Sequence, residues 1–370
     1  MHDDKGKINL DSVMTAGIGS YPKPDYLYPG SGRQILDSVG LSFYQVANEI
    51  GEAEFQKRLD QAVLTAIQEQ DRAGIEIVTD GEERRGHYVT HILRKLDGID
   101  FENWRPKSIR EGKYIRELPV VVGEVRYREP ILVDEYIFTQ KHARGIPKIG
   151  LPGPMTVVDT VLNEYYESDD ERFAFDYAEA IRHEVKNLIE AGCRVIQFDD
   201  PVLIRYPEKA QAWGFRALEA CIAGHENAAT YFVHVCRGYP DEKLDNAGVA
   251  YKADANNYAD LLRWLSASTF DGASIEAATV TVKDGEKVHD ELDLAVLPAV
   301  GNKTVLLGVV DVGSHEVETI DYLEARMREA LQYLPKEQLI FAPNCGLVEL
   351  TPETARAKLA NIVEAAAKIQ

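Results

Sequence analysis

The sequence predicts an α/β protein, a (β/α)₈ TIM barrel with a β-hairpin inserted after its second strand. Three observations predict it. A helix, a Gly stop, a short β-branched run and a polar loop follow one another repeatedly along the chain. Eight such apolar runs can be counted, with helical stretches between most of them. One section, between Glu82 and Pro147, breaks the rhythm with paired strand-like segments.

The first run covers 14–18, and an irregular stretch over 21–50 is expected to cover one end of the barrel. A helix over 53–71 stops at Ala73-Gly74, because Gly accepts the left-handed cap, and leads into the second run at 75–78. The insertion spans about 98–146. In it, a loop over 98–113 precedes a hairpin whose strands are Pro119–Val125 and Ile131-Leu132-Val133, joined by a turn at 126–130. The third run is 147–151. The helix over 173–190 carries Phe173, Tyr177, Ile181, Val185, Leu188 and Ile189 at helical spacing, one face toward a core. Runs at 195–198, 231–235, 272–275, 305–310 and 339–341 follow, with helices over 258–265, 319–333 and 352–367. A doubly wound sheet competes with the barrel, but no Gly-rich dinucleotide fingerprint follows the first strand. No linker or low-complexity tract divides the chain, so residues 1–370 are expected to form one domain.

With 45% apolar and 28% charged residues, the composition is that of a soluble protein with a sizeable core. A net charge of −20 argues against a nucleic-acid partner, since phosphate-backbone binding needs a basic surface. No apolar run is long enough to span a membrane, and the polar N-terminus lacks a signal-peptide core, so the expected compartment is the cytoplasm. Four cysteines in so long a chain make no disulfide framework. Cys193 and Cys221 read as packed small hydrophobes. Cys236 and Cys345, among Arg, Gly, Pro and Asn, sit in loop surroundings.

In a (β/α)₈ barrel the functional groups stand at the C-terminal ends of the strands. Here those ends carry Gly17-Ile18-Gly19-Ser20, Asp80-Gly81-Glu82, Gly153-Pro154-Met155-Thr156, Asp199-Asp200-Pro201, His234-Val235-Cys236, Glu276, Asp311 and Asn344-Cys345-Gly346. His234 and Cys236 are two apart and share a strand face. Alone, the pair could be a hydrogen-bonded His beside a packed Cys. With Cys345 and Glu276 at equivalent strand ends, the set matches the ligands Zn²⁺ prefers, and two thiolates favour zinc over magnesium or calcium. The scattered spacing is unlike a structural knuckle, which points to a catalytic ion. So electron-rich a zinc suits holding a substrate thiol as thiolate. Glu82 and Asp199 then become candidates to hold a cationic group on that substrate, or else they cap helices or are solvated at the surface.

Taken together and in this order, these motifs resemble the C-terminal catalytic barrel of the cobalamin-independent methionine synthase family, over almost the whole chain and in a short, single-barrel form. The resemblance implies His234, Cys236, Glu276 and Cys345 as zinc ligands, contacts from Ile18 and Ser20 to homocysteine, and Glu82 and Asp199 as the carboxylates that hold its amino group. The implied reaction moves a methyl group from methyl-tetrahydrofolate to the thiol, giving methionine. Two departures alter the donor half. Val157-Val158-Asp159-Thr160 stands where folate-using members carry a Trp. In the loop after the seventh strand Gly313 takes the place of a His, with His315 two residues on. His315 is the substitute proton donor or a solvated His, and a methylated corrinoid, or a partner protein presenting the donor, joins the folate as a candidate. Two other functions stay open: thiol alkylation of the epoxyalkane:coenzyme M transferase type, for which Arg84, Arg85 and Arg237 could serve a sulfonate, and a non-catalytic barrel with a structural zinc.

Overall fold

A computed structural model describes residues 7–8, 13–27, 41–109, 114–238, 252–283, 286–289 and 291–369. All eight predicted runs are strands. In chain order the strands are β1 (Met14–Thr15), β2 (Ile77–Val78), β3 (Leu96–Ile109), β4 (Tyr114–Tyr127), β5 (Ile146–Pro147), β6 (Ile149–Pro152), β7 (Leu162–Asn163) and β8 (Val195–Asp199). They continue with β9 (Thr230–Val235), β10 (Gly272–Glu276), β11 (Val280–Lys283), β12 (Glu286–His289), β13 (Thr304–Val310) and β14 (Leu339–Pro343). Seven form one parallel sheet in the order β1-β14-β13-β10-β9-β8-β6, and the sheet curls. The β2–β5 ladder is also parallel. An isolated parallel bridge joins Ala16, just past β1, to Ile77 on β2, and β5 runs into β6 with only Lys148 between.

Period-two alternation along these strands sorts their side chains into two cores. Ile149, Leu151, Ile196, Phe198, Val233, Ile275, Leu307 and Phe341 pack with Tyr177, Ile181, Leu262, Leu359 and Ile362 from the surrounding helices. The alternate residues Met14, Ile77, Val195, Phe232, Leu306, Ile340 and Ala342 form a smaller cluster on the concave side. A Cβ at Gly272 would meet the Phe232 ring at 2.9 Å, so that ring fills the hollow of the sheet. Truncating Phe232 to Ala would cost about 3–5 kcal/mol. Further along the same strands, toward their C-terminal ends, the concave positions turn polar: Gln197, Asp199, His234, Ser274 and Glu276, every one buried. That change of character is what places a site at this end.

The helices start and stop where their caps require. Gly74, at φ 87°, ends the helix Glu52–Ala73, and the Asp169 side chain accepts from Arg172 N at the start of Asp170–Glu190. Thr351 caps Pro352–Ala367, with Pro352 at its first position.

Two expectations are corrected. The inserted hairpin pairs β3 with β4 in antiparallel register, so the 98–113 segment is mostly strand, not loop, and residues 110–113 lie outside the described residues. Ile131-Leu132-Val133 is not a strand; it leads into the helix Val133–His142. Pro106 disguised β3, yet β3 is an edge strand, where a missing N–H is tolerated. Gly98, at φ 89°, makes the bulge, and a Cβ there would lie 2.5 Å from the Glu124 carbonyl. The stretch 21–50 is also more regular than expected. It holds a short 3₁₀ turn at Asp25–Leu27 and the helix Leu41–Ile50, while 28–40 lie outside the described residues. The antiparallel pair β11–β12, after β10, was not anticipated.

Candidate functional site

Parallel register brings three distant segments together. His234 lies opposite Asp199 on β8 and opposite Ser274 on β10, and Cys345 follows β14. The ligand atoms of His234, Cys236 and Cys345 all lie within 4.8 Å of one another. The two sulfurs are 3.7 Å apart, with Cys345 donating to Cys236. Four-coordinate zinc with Zn–S bonds of ~2.3 Å has an S···S edge of about 3.8 Å, so the thiols already stand at tetrahedral spacing. His234 Nδ1 is 3.0 Å from Ser274 Oγ, while its buried Nε2 has no hydrogen-bond partner among the described residues. An orphaned ring nitrogen beside two sulfurs fits a soft metal ion.

The electrostatics of the three are asymmetric. The hydrogen bond from Cys345 is the main cause that holds the Cys236 thiol well below its ordinary value, with His234 and Lys252 adding to it against burial. The same contact, with burial, holds the Cys345 thiol well above the ordinary range. Burial works against an imidazolium at His234, but Cys236 and then Asp199 outweigh it and raise His234. Cys193 and Cys221 are fully buried, and burial pushes the Cys193 thiol up to about 12, as inert core thiols require.

Glu276, expected as a fourth ligand, stands outside this group. Its Oε1 accepts from Lys252 Nζ at 2.8 Å and from Thr279 Oγ1, and its Oε2 accepts from Arg237 N at 3.1 Å. Tyr258 pins the two strand ends together: its hydroxyl donates to Val235 O and accepts from Glu276 N. Asn344 ties the end of β14 to β10 and β13. Its Oδ1 accepts from Ala277 N and Ala278 N, its Nδ2 donates to Ala278 O, and its own N–H bonds Val310 O.

Beside the thiols are two carboxylates. A Cβ at Gly150 would lie 2.9 Å from Asp199 Oδ2 and 3.5 Å from Glu82 Oε1, so both acids converge on the bare backbone there. Burial raises the carboxyls of Glu82 and Asp199 above their usual range; Arg85 and Lys23 oppose the rise at Glu82, to which Asp199 adds, and His234, the Gln197 hydrogen bond, Lys148 and Arg85 oppose it at Asp199. Asp199 Oδ1 accepts from Gln197 Nε2 at 2.7 Å. Glu82 sits at φ 53° in a turn where its N–H bonds Asp80 Oδ1 and its carbonyl accepts from Lys23. Neither caps a helix. The cap belongs to Asp200, which accepts from Met155 N, Thr156 N and Thr156 Oγ1 at the start of the helix Pro154–Thr160. Ile18 is buried, with its carbonyl bonded to Gln197 Nε2. Ser20 lies against the second thiol segment: its carbonyl accepts from Leu347 N, and a Cβ at Gly346 would meet its Oγ. His315 is exposed in the loop after β13 and belongs to none of these groups.

Sequence reasoning missed Lys148, Gln197 and Ser274. For Gln197 and Ser274 the signal was available, since each stands two residues before a residue singled out at a strand end, Asp199 and Glu276, and so on the same face; Lys148 carried no such signal. The three arginines that kept a sulfonate acceptor open are engaged. Arg85 bonds Glu135 Oε2, Gly150 O and, at 3.5 Å, Glu82. Arg84 pairs with Asp60, and Arg237 Nε bonds Ala253 O. Beyond the short helix Pro154–Thr160 lies a cavity of about 350 Å³, lined by Met155, Val158, Asp159, Tyr206 and Trp213 among others. No described helix is long and apolar enough to cross a membrane.

Residues 13–368 match the family described as "Cobalamin-independent synthase, Catalytic domain". The methionine synthase of Saccharolobus solfataricus is 31% identical over 362 residues, covering 96% of this chain and 94% of that protein. That of Pyrococcus abyssi is 28% identical, covering 97% and 93%. Among solved structures, a B12-independent methionine synthase from Shewanella sp. W3-18-1, in complex with selenomethionine, aligns with a TM-score of 0.81 at 28% identity, covering 98% of each chain. With the match running from the first strand to the last helix, and the thiols and carboxylates gathered at one end of the sheet, the chain belongs to the cobalamin-independent methionine synthase family.

Proposed function

We propose that this protein transfers a methyl group to the thiol of homocysteine, forming methionine, at a zinc site built on His234, Cys236 and Cys345. The observation that carries the reading is the juxtaposition of two thiols 3.7 Å apart and a free, buried His234 Nε2 with a convergent carboxylate pair. A zinc ion held there would supply the charge that keeps a substrate thiol deprotonated at neutral pH.

The chain's own residues do the rest. Glu82 and Asp199 accept the substrate ammonium, which relieves their mutual repulsion and offsets the burial that raises both. Ile18 and Ser20 line the path between them and Cys345. Glu276, with Lys252 and Thr279 on one oxygen, stands ready to complete the ligand set as fourth donor. Holding both reactants in line lowers the barrel-end reaction's entropic cost. His315, on the loop after β13, is the proposed proton source for the leaving group. The bound selenomethionine of the Shewanella relative supports an amino-acid subsite of this kind. The pairing of β2 with both Ala16 and β5 supports reading the eight parallel strands as one closed barrel.

Coenzyme M lacks an ammonium and needs cationic contacts, so the acid pair and the engaged arginines weigh against it. The donor is a methyl-tetrahydrofolate or a methylated corrinoid, free or presented by a protein. The deciding experiment measures methionine formation from homocysteine with each donor on metal-loaded protein. Turnover with either supports the reading, and turnover of coenzyme M in preference to homocysteine overturns it. In the same assay His315→Asn should lower kcat and leave the homocysteine KM unchanged.

A further inference from the structure

We propose that Lys148, acting through Gln197, is a positioning residue that keeps Asp199 aimed to receive the substrate's ammonium group. The inference rests on the homocysteine reading above and deepens it by naming what organises the amino-acid subsite.

Lys148 is an unusual residue to find where it is. It occupies the one-residue break between β5 and β6, where the third strand changes partner: its N–H bonds Val78 O of β2, and the next residue, Ile149, pairs with Ile196 of β8. Its side chain is only 1% exposed, and a buried ammonium persists only when other groups hold it. The group holding it is an amide. Lys148 Nζ donates to Gln197 Oε1 at 2.5 Å. The other end of that amide donates twice from Nε2, to Asp199 Oδ1 at 2.7 Å and to Ile18 O at 3.0 Å. Both ends of the Gln197 side chain are therefore committed, and its orientation has one solution: a lysine only donates and a carboxylate only accepts.

The consequence falls on Asp199. One of its oxygens is fixed by Gln197, so the other, Oδ2, is turned toward Gly150, where Glu82 also converges. Two acids facing one point, Asp199 buried and Glu82 largely so, resist ionising together. Burial draws the Lys148 ammonium down to about 7, and the Asp199 and Glu82 carboxylates that face it work to keep it charged. Lys148 holds the amide from its far end, so Asp199 is aimed without the oxygen the ligand needs being occupied. Removing it would orphan Gln197 Oε1 in a dry interior and loosen the amide that aims Asp199.

The test measures binding of two thiols by titration calorimetry on metal-loaded protein: homocysteine, and 4-mercaptobutyrate, which is homocysteine without its amino group. Lys148→Met keeps the length of the side chain and removes its charge. It should weaken homocysteine about tenfold or more, the worth of one charge-assisted hydrogen bond, and leave 4-mercaptobutyrate unchanged. Gln197→Leu should do the same, and adding Lys148→Met to it should cost nothing more, because the lysine acts through the amide. Equal weakening of both thiols means a merely structural role and overturns the inference, as does an undiminished preference for homocysteine or additive losses in the double variant. If Lys148→Met does not fold, Gln197→Leu decides alone by the same ratio. Wild-type protein that binds neither thiol overturns the function proposed above, and this inference with it. Wild-type protein that prefers homocysteine, beside variants that still do, overturns this inference only.

Discussion

The two sides of the strand ends are built in different ways. On the thiol side, His234, Asp199 and Ser274 stand on parallel strands, and Cys236 and the half-buried Cys345 follow one and two residues beyond theirs, with neighbours set by ladder register: Asp199 opposite His234, and His234 opposite Ser274. On the other side, the walls come from the helix Pro154–Thr160, the short helix Val202–Arg205, a π-helical turn at Ala210–Gly214 and the tip of β7. Polar groups there are tied to one another: Arg205 pairs with Asp159, and Lys107 donates to the carbonyls of Val158, Asp159 and Val161. The thiol side thus presents its reactive groups on a frame of parallel strands, while the other side presents shape on irregular elements. We propose that the acceptor binds on the first side and the donor on the second, so that one can change while the other stays.

If the division is real, damage should stay on its own side. The largest effect belongs to Cys236→Ser and Cys345→Ser, each of which should lower metal affinity at least about 100-fold and abolish turnover, read by metal content after dialysis against a chelator. Full metal retention in both would break the site at its centre. Next, Asp199→Asn should raise the homocysteine KM about 10–100-fold with metal content intact, since a charge-assisted contact is lost but no ligand is. Metal loss in that variant would mean the carboxylates and thiols form one unit and not two. A smaller effect is expected from Val158→Trp, which fills the cavity beside Met155 and Trp213. The donor KM should rise a few-fold while the homocysteine Kd stays put, and the reverse pattern would place the acceptor in that cavity.

The same contrast explains how much could be read from the sequence. The thiol side was legible because strand periodicity converts spacing into direction: His234 and Cys236, two apart, must share a face, and β-branched runs mark where each strand stops. His234 and Cys236 follow from that rule, while Cys345 and the acid pair were found because each stands at or just past the end of a strand-like run. Glu276 shows its limit: its strand position was legible, but the hydrogen bonds that Lys252 and Thr279 give its carboxylate are not written in strand spacing. The hairpin failed for a related reason. Pro106 and a run of charges hid a strand that is stabilised by its pairing with β4 and not by its own pattern. The cavity walls were invisible throughout, because helices of four to seven residues carry too few turns to show a periodicity.

The smallest effect, and the one that separates framework from chemistry, concerns Asp200. It is fully buried one residue from Asp199, yet its three hydrogen bonds hold the start of Pro154–Thr160, so it serves the irregular side. Burial raises its carboxyl from 3.8 to about 7, against the hydrogen bonds from Thr156 and Met155 and with help from Asp199. Between those two values the folded chain holds a proton that the unfolded chain has released. Stability from this group is therefore fully present below pH 3.8 and is lost as pH rises toward 7. Asn imitates the protonated acid and does not titrate. In urea unfolding from pH 4 to 8, the wild type should lose ground to Asp200→Asn as pH rises, by on the order of 1 kcal/mol per pH unit within the window. Parallel curves for the two proteins would mean that Asp200 is ionised throughout and that the start of this helix is held by charge. Homocysteine affinity should be the same in both, because Asp200 touches the helix and not the acid pair. A loss of affinity would show that the two sides are coupled through the Asp199-Asp200 step.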